Sequence, residues 1–460
     1  MTSVNQKLAL REKFAYGVGD AGANLVFQTQ ITFLLFFYTN VLGIASGVAG
    51  TILLISRAID ACSDPIIGAL ADRTRTRWGH YRPWILWTAV PMAIALVLCY
   101  TAPDMSATAK VVWAIVTYNV LMAVYAANNI PYCALSGVMT SDPRERTSLS
   151  SWRFVCAMFA TLVVNMFTLK MVDSLGGSDV ALGYQWTMAA WGVVAVILFC
   201  ITFTFTRERV LPSPRQRSTV RQDLSDLLHN KPWFELFGLA LLIHVELALR
   251  GGGMLYYFKY YSRSADVFSW IDNFGLFNGV GLAFVILGVS LSKWLVEWLG
   301  KKAAFRLCLV LSAVFMGLMA TVPRDSLATL FLLQILLQLS FGPTIPILWS
   351  MMADVVDYSE WETGRRSTAL AFASIVFGLK LGLGIGGWLD GEALAWLGYS
   401  KDVALTATGE RGIVMLISVV PAAALLIGAI VLRYYPLTDR MMDDIEIALA
   451  ERRAKLGQSI

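Results

Sequence analysis

Residues 56–65 read SRAIDACSDP and lie between two strongly apolar stretches, GVAGTILLI and IIGALA. Arg57, Asp60 and Asp64 follow one another at spacings of three and four, so on a helix they share one face. Two carboxylates that close resist ionising together; one takes up a proton, or a cation settles between them. The pair therefore has the chemistry to bind and release H⁺ or Na⁺. The competing reading is a satisfied salt bridge in which Arg57 neutralises one aspartate, but that leaves one carboxylate over. Asp72 and Arg73, farther along the same stretch, join Arg57 as expected ion-pairing groups.

Other polar side chains interrupt apolar runs in the same way. Asp20, Asn24, Gln28 and Gln30 lie in the first run, and Tyr125, Asn128, Asn129 and Tyr132 in the fourth. Trp152 and Arg153 open the fifth, His244, Glu246 and Arg250 lie in the seventh, and Lys380 sits inside GLKLGLGIGG. Charge at mid-bilayer is costly, so such groups face a cavity or a partner. Amides, carboxylates, an arginine and a lysine together suit a polyhydroxylated solute, with aromatic faces to cover its apolar side. Asp20, Asn24, Asn128, Asn129, Arg153 and Lys380 are the expected contacts, although Asn128 or Gln28 can equally well bond a neighbouring helix. GLGIGG follows no strand, so it is not a dinucleotide loop. No catalytic triad, phosphate loop or metal motif stands out, and the chain reads as no enzyme, with no cofactor.

These groups need a scaffold, and the composition says which. Of 460 residues, 57% are hydrophobic and 15% charged, against about 25% charged in soluble domains. Apolar runs of about twenty residues recur along the whole chain, the length of a membrane-spanning helix. The pattern predicts an all-α membrane protein with twelve spans. Their limits are 16–38, 46–70, 84–101, 110–136, 152–171, 186–205, 234–260, 272–298, 303–321, 327–352, 368–390 and 412–434. Basic residues crowd the even-numbered loops and both tails, for example Arg73, Arg75, Arg77 and Arg82, then Lys301, Lys302 and Arg306. By the positive-inside rule both termini face the cytoplasm. The basic segments are short and lack aromatic platforms, so nucleic acid is not an expected partner. Cys62, Cys99, Cys133, Cys156, Cys200 and Cys308 form no CxxC pair and suggest neither a disulfide nor a zinc framework.

Residues 207–231 are the longest polar interruption and read as a cytoplasmic linker between a six-helix half, 1–206, and a second, 232–435. A weak repeat supports the division. GALADRTRTRWGHYRPW follows span two and KWLVEWLGKKAAF follows span eight, each with an acid, a glycine and a basic cluster before the next helix. Two six-helix halves are the major-facilitator arrangement. Residues 436–460 read as an amphipathic cytoplasmic helix in which Ile445, Ile447 and Leu449 alternate with charge.

Five stretches together carry a family resemblance: EKFAYGVGDAGAN, SRAIDACSDPIIGALADRTRTRWGHYRPW, NNIPYCAL, ERTSLSSWRF and MMADVVDYSEWETGRR. Over nearly its whole length the chain resembles the glycoside–pentoside–hexuronide:cation symporters, the family of the melibiose permease. The resemblance implies sugar uptake coupled to H⁺, Na⁺ or Li⁺ through a bacterial inner membrane. Asp60 and Asp64 match that permease's cation site, Asn24, Asn129, Cys133 and Arg153 its sugar site, and Lys380 its cavity lysine. Asn24 and Asn129 stand where it has aspartates, Cys133 where it has a tryptophan, and Ala126 where it has a threonine of the cation site. With these departures galactoside specificity does not carry over, and H⁺ is expected before Na⁺. With fewer acids beside Arg153 and Lys380, a uronide stands beside neutral pentosides and glucosides. The alternatives are a lysophospholipid or other amphiphile carrier on the same fold, and a solute sensor that does not transport. A monomer in the bilayer is expected, its partners being the solute and a monovalent cation.

Overall fold

The computed structural model describes residues 7–140, 142–209, 230–262, 264–363, 368–399 and 406–455. Their regular structure is helical. The first six long helices are α1 (Leu10–Thr32), α2 (Ser46–Arg73), α3 (Arg82–Cys99), α4 (Ala107–Met139), α5 (Pro143–Gly176) and α6 (Val180–Phe205). There follow α7 (Lys231–Tyr256), α8 (Asn273–Leu299), α9 (Lys301–Leu318), α10 (Leu327–Phe341) and α11 (Thr344–Thr363). The chain ends with α12 (Thr368–Trp396), α13 (Ala407–Ile417), α14 (Val419–Tyr434) and α15 (Asp439–Lys455). Most of the expected linker, 207–231, lies outside the described residues.

Among the described residues nine helical stretches are long and apolar enough to cross a membrane: α3 to α9, α10 with α11, and α13 with α14. The remaining long helices, α1, α2 and α12, are the ones that hold Asp20, the Asp60/Asp64 pair and Lys380. Three expected spans differ in detail. The first is interrupted at Phe33, the tenth at Gly342–Pro343 and the twelfth at Ser418. At the tenth, proline has no N–H to continue the ladder. Gly342 also passes so close to Gly288 and Val289 of α8 that a side chain there would strike the backbone.

Backbone packing gives two compact units: Met1–Pro214 with Ala265–Gly279 and Gly387–Gly409, and Arg215–Ser264 with Val280–Gly386 and Glu410–Ile460. In the first, α1 packs on α5 and α6, α3 on α4 and α6, and α2 on α4. In the second, α9 packs on α14 and α10, and α14 on α7.

The repeat suggested by the sequence has a structural counterpart in each unit. The helices that open the halves, α1 and α7, both lead into a wider π-helical turn, Phe37–Val41 and Tyr257–Tyr261. The glycine of each basic loop, Gly79 and Gly300, has positive φ, +115° and +79°. Only glycine takes that conformation freely, and a Cβ would run into an acidic side chain at each. The acid is Glu208, just after α6, in one half and Asp439, just after α14, in the other. Glu208 accepts the N–H groups of His80, Tyr81 and Arg82 at 2.8, 2.8 and 3.0 Å, capping α3. Asp439 accepts from Lys301 N at 3.3 Å at the start of α9. A carboxylate at these positions meets the positive end of the helix dipole and its unpaired N–H groups.

The tail helix α15 packs on α11 with Met442, Ile445 and Leu449 buried. Ile447, expected among its apolar contacts, is 60% exposed. Strict alternation is a strand pattern; on a helix, residues three and four apart share the buried face.

Candidate functional site

α1 is a glycine-lined helix because three neighbours come very near it. A Cβ at Gly17 would lie 2.8 Å from the Trp152 carbonyl oxygen, one at Gly19 2.6 Å from the Tyr132 ring, and one at Gly22 3.1 Å from the Phe199 ring. GVGDAG thereby seats Asp20 against α4 and α5. Asp20 is 5% exposed, and its Oδ2 accepts from Arg153 Nε at 2.9 Å. The Arg153 guanidinium lies over the Tyr132 ring, 5.6 Å from its centre. Tyr132 stacks on Tyr16 and donates its hydroxyl to the Tyr16 carbonyl at 2.7 Å. Asn24, one turn on, donates to the Asp20 carbonyl oxygen at 2.9 Å and is half-buried.

This pairing revises one expectation. By sequence Arg153 is short of acids and hence suited to an anionic sugar; in the fold Asp20, 133 residues away in the chain, offsets its charge directly.

Tyr125, Asn129 and Cys133 follow at spacings of four along α4 and so share a face. Asn129 and Cys133 are half-buried, with the thiol 3.6 Å from Asn129 Oδ1. Tyr125 stacks on Phe27 of α1, and the Arg57 guanidinium lies 5.4 Å from the centre of that same ring. Phe27 thus links α2, through Arg57, to the polar face of α4. Sequence reading misses it because one more phenylalanine in an apolar run carries no signal; its place one turn after Asn24 is the available hint.

Asp60 is buried at 2% exposure and Asp64 is half-buried. Tyr118 of α4 lies beside Arg57 and Asp60, and Asn119 donates to Ser56 at 2.9 Å, tying α2 to α4. Pro65 stands inside α2. Lacking an N–H, it leaves the Ala61 carbonyl without its helical donor. That frees a backbone oxygen between the two aspartates, on a helix able to offer a cation carboxylate and carbonyl ligands together. Of the expected ion-pairing groups, Asp72 accepts from the Tyr81 hydroxyl at 3.0 Å and Arg73 is exposed at the end of α2.

Asn128 is a correction. The sequence groups it with the solute contacts, but it is fully buried and donates to Thr88 Oγ1 at 2.8 Å, joining α4 to α3. Asn128 and Asn129 are adjacent, so they point about 100° apart on the helix, and only Asn129 shares the face with Tyr125 and Cys133.

Lys380 belongs to the second unit. Gly378, Gly382 and Gly386 form the face of α12 that meets Phe237, His244 and Ala248 of α7. Lys380 is two residues from Gly378 and from Gly382, about 200° round the helix, so it points away from α7. In the same unit Arg250 Nη2 donates to Gln334 at 2.7 Å, and its Nη1 stands 4.0 Å from Glu246. Gln334 in α10 carries no signal of this role in the sequence.

The model of the MFS/sugar transport protein family matches residues 15–439. "Inner membrane symporter YicJ" of Escherichia coli (strain K12) is 37% identical over 99% of this chain and 98% of its own length. "Putative glycoside/cation symporter YagG" of the same organism is 35% identical over 99% of this chain and 98% of its own. Among solved structures, the nucleoside transporter NupG superposes with a TM-score of 0.60 at 15% identity, covering 91% of this chain and 98% of that one; at that identity the likeness is one of fold. The chain is therefore a member of the MFS/sugar transport protein family, membrane transporters rather than enzymes.

Proposed function

We propose that the chain carries a glycoside or related sugar inward across a bacterial inner membrane together with a monovalent cation, H⁺ first and Na⁺ as the alternative. The observation that carries the reading is the convergence on α1 of two different chemistries. On one side α2, whose Arg57 lies over Phe27, carries the paired aspartates, which suit a small cation. On the other, Arg153, Asn24, Asn129 and Cys133 present donors and acceptors suited to sugar hydroxyls. A relative's description as a glycoside/cation symporter agrees with that division. Because Asp20 offsets Arg153, a neutral glycoside suits the site better than a uronide.

Nine apolar spans plus α1, α2 and α12 make twelve, with both termini in the cytoplasm, the arrangement that the basic loops favour. Coupling follows if cation and sugar bound together favour the switch between outward and inward exposure more than either alone.

The test is external pH in de-energised, unbuffered cells as glycosides, pentosides and uronides are added with and without Na⁺. Alkalinisation with one sugar identifies substrate and proton together. Labelled uptake only with Na⁺ makes the aspartates a sodium site, and silence throughout with every sugar overturns the reading. Asp64→Asn is expected to abolish accumulation against a gradient while leaving sugar binding measurable. Full accumulation in that variant removes Asp64 from the cation site.

A further inference from the structure

Asp390 lies in the last turns of α12, six residues before its end. It is 1% exposed, and among the described residues neither of its carboxylate oxygens has a hydrogen-bond partner. This differs from every other acid discussed above. Asp20 has Arg153, Glu246 has Arg250 within 4.0 Å, and Glu208 has three backbone N–H groups.

The surroundings explain the burial. α12 crosses α2 at a glycine contact in which a Cβ on Gly50 would lie 2.9 Å from the Trp388 carbonyl oxygen and 3.0 Å from Gly391 Cα. Gly391 in turn faces Ser46 and Gly50, and Gly387 faces Leu53. Such small residues let two backbones meet without side chains between them. Just beyond the crossing, Tyr399 donates to Asn40 at 2.5 Å. Asp390 is the residue next to Gly391 and is shut in with it.

Among the described residues the groups around it offer no counter-charge. α2 faces the crossing with Ser46, Gly50 and Leu53, and its first charged residue, Arg57, comes a further turn along and lies on Phe27. On α12, Glu392 is about 200° round the helix from Asp390 and lines a separate cleft of about 480 Å³ with Thr51, Ser56 and Ile115. Lys380 is ten residues back, about 15 Å along the helix. α7 meets the preceding turn at Gly386 through Val245 and Ala248, and its charged Glu246 and Arg250 sit beside each other.

An unpaired carboxylate cannot be held in such a place, whereas a carboxylic acid can. We propose that Asp390 is a proton-binding site separate from Asp60 and Asp64, protonated while α2 and α12 are in contact and able to ionise only when that contact opens. Its ligand is H⁺ taken from the side on which α12 ends, the outside in the proposed topology. External acidity then favours the closed α2–α12 crossing, whichever cation the aspartate pair of α2 carries.

The first measurement is infrared spectroscopy of the purified protein at neutral pH, which needs no transport and so stands apart from the sugar–cation reading. The wild type is expected to show a protonated-carboxyl stretch that Asp390→Asn lacks. If that variant fails to fold, Asp390→Glu is expected to shift the band rather than remove it. Identical spectra in every folded variant overturn the site. The second measurement is uptake against external pH. Wild-type uptake is expected to fall on the alkaline side by up to about tenfold per pH unit, the limit for one proton, and the limb is expected to move or flatten in Asp390→Asn. A band that disappears while the two pH profiles stay superimposed overturns the link to the α2–α12 contact.

Discussion

Each half of the molecule buries an acid and an arginine, and the two pairs are built differently. In the first, Asp20 and Arg153 come from different helices, meet at 2.9 Å, and are backed by Asn24 and the Tyr132 ring. In the second, Glu246 and Arg250 lie one turn apart on α7 and stand 4.0 Å from each other. There Arg250 reaches α10 through the neutral amide of Gln334, while Glu246 Oε2 and Arg250 Nε are buried without hydrogen-bond partners among the described residues. The first arrangement ties α1 to α5 by charge. The second ties α7 to α10 by an amide and leaves its charges loosely matched. Charge alone therefore does not say what a buried pair does; the helices it joins decide whether it locks the fold.

The largest expected effect tests that difference. Removing one member of a well-made buried pair typically costs about 3–5 kcal/mol, because the other is left uncompensated. Arg153→Gln and Asp20→Asn are each expected near the lower end, about 3 kcal/mol, since Arg153 is 30% exposed on its side chain. The double variant should cost about 4 kcal/mol, less than the two single losses added together. A double-mutant cycle on thermal unfolding is expected to give a coupling of about 2 kcal/mol for this pair and under about 1 kcal/mol for Glu246→Gln with Arg250→Gln. Equal couplings in the two halves would break the comparison.

The helix caps sharpen it. Glu208 closes three N–H groups of the α3 start, and Asp439 accepts one, at 3.3 Å, at the start of α9. Hydrogen bonds to a charged acceptor are each worth about 1.5–3 kcal/mol, less when an amide still accepts part of the set. Glu208→Gln is expected to cost about 2 kcal/mol and Asp439→Asn about 0.5 kcal/mol, read as shifts in Tm of the purified protein. The reverse order would mean that the second half leans on its cap more than the geometry indicates.

What the sequence makes legible here is local. The i, i+3 and i, i+4 spacing of Arg57, Asp60 and Asp64 is enough to predict one face of one helix, and the glycine in each basic loop is enough to suspect a repeat. What is not legible depends on distance along the chain. Nothing in ERTSLSSWRF says that Arg153 will meet Asp20, and nothing after span six says that Glu208 will return to cap α3. Asn128 and Asn129 are the same residue type side by side, yet one bonds α3 and the other lines a polar face, because a helix turns about 100° per residue. Asp390 is visible by the logic applied to Asp60, a charge at the end of an apolar run; that its oxygens have no hydrogen-bond partner among the described residues is not.

The smallest effect lies outside the membrane, where the first half has another pair. Glu145, in the first turn of α5, receives Lys13 Nζ at 2.9 Å and the Leu8 N–H at 3.0 Å. The Lys13 hydrogen bond, followed by the Leu8 N–H, holds its carboxyl below the usual carboxylate range. A group whose pKa is lower folded than unfolded contributes stability above the unfolded value, about 4.3 for glutamate, and loses it as pH falls through the folded one. Glu145→Gln is therefore expected to lower Tm by under about one degree at neutral pH, with the gap from wild type closing as pH falls below about 4. A gap that stays constant into acid would mean that Glu145 acts through its shape and its place in the helix, with its charge contributing nothing. The Lys13–Glu145 contact would then belong with the loosely matched pair of the second half, and the contrast between the halves would end at the membrane surface.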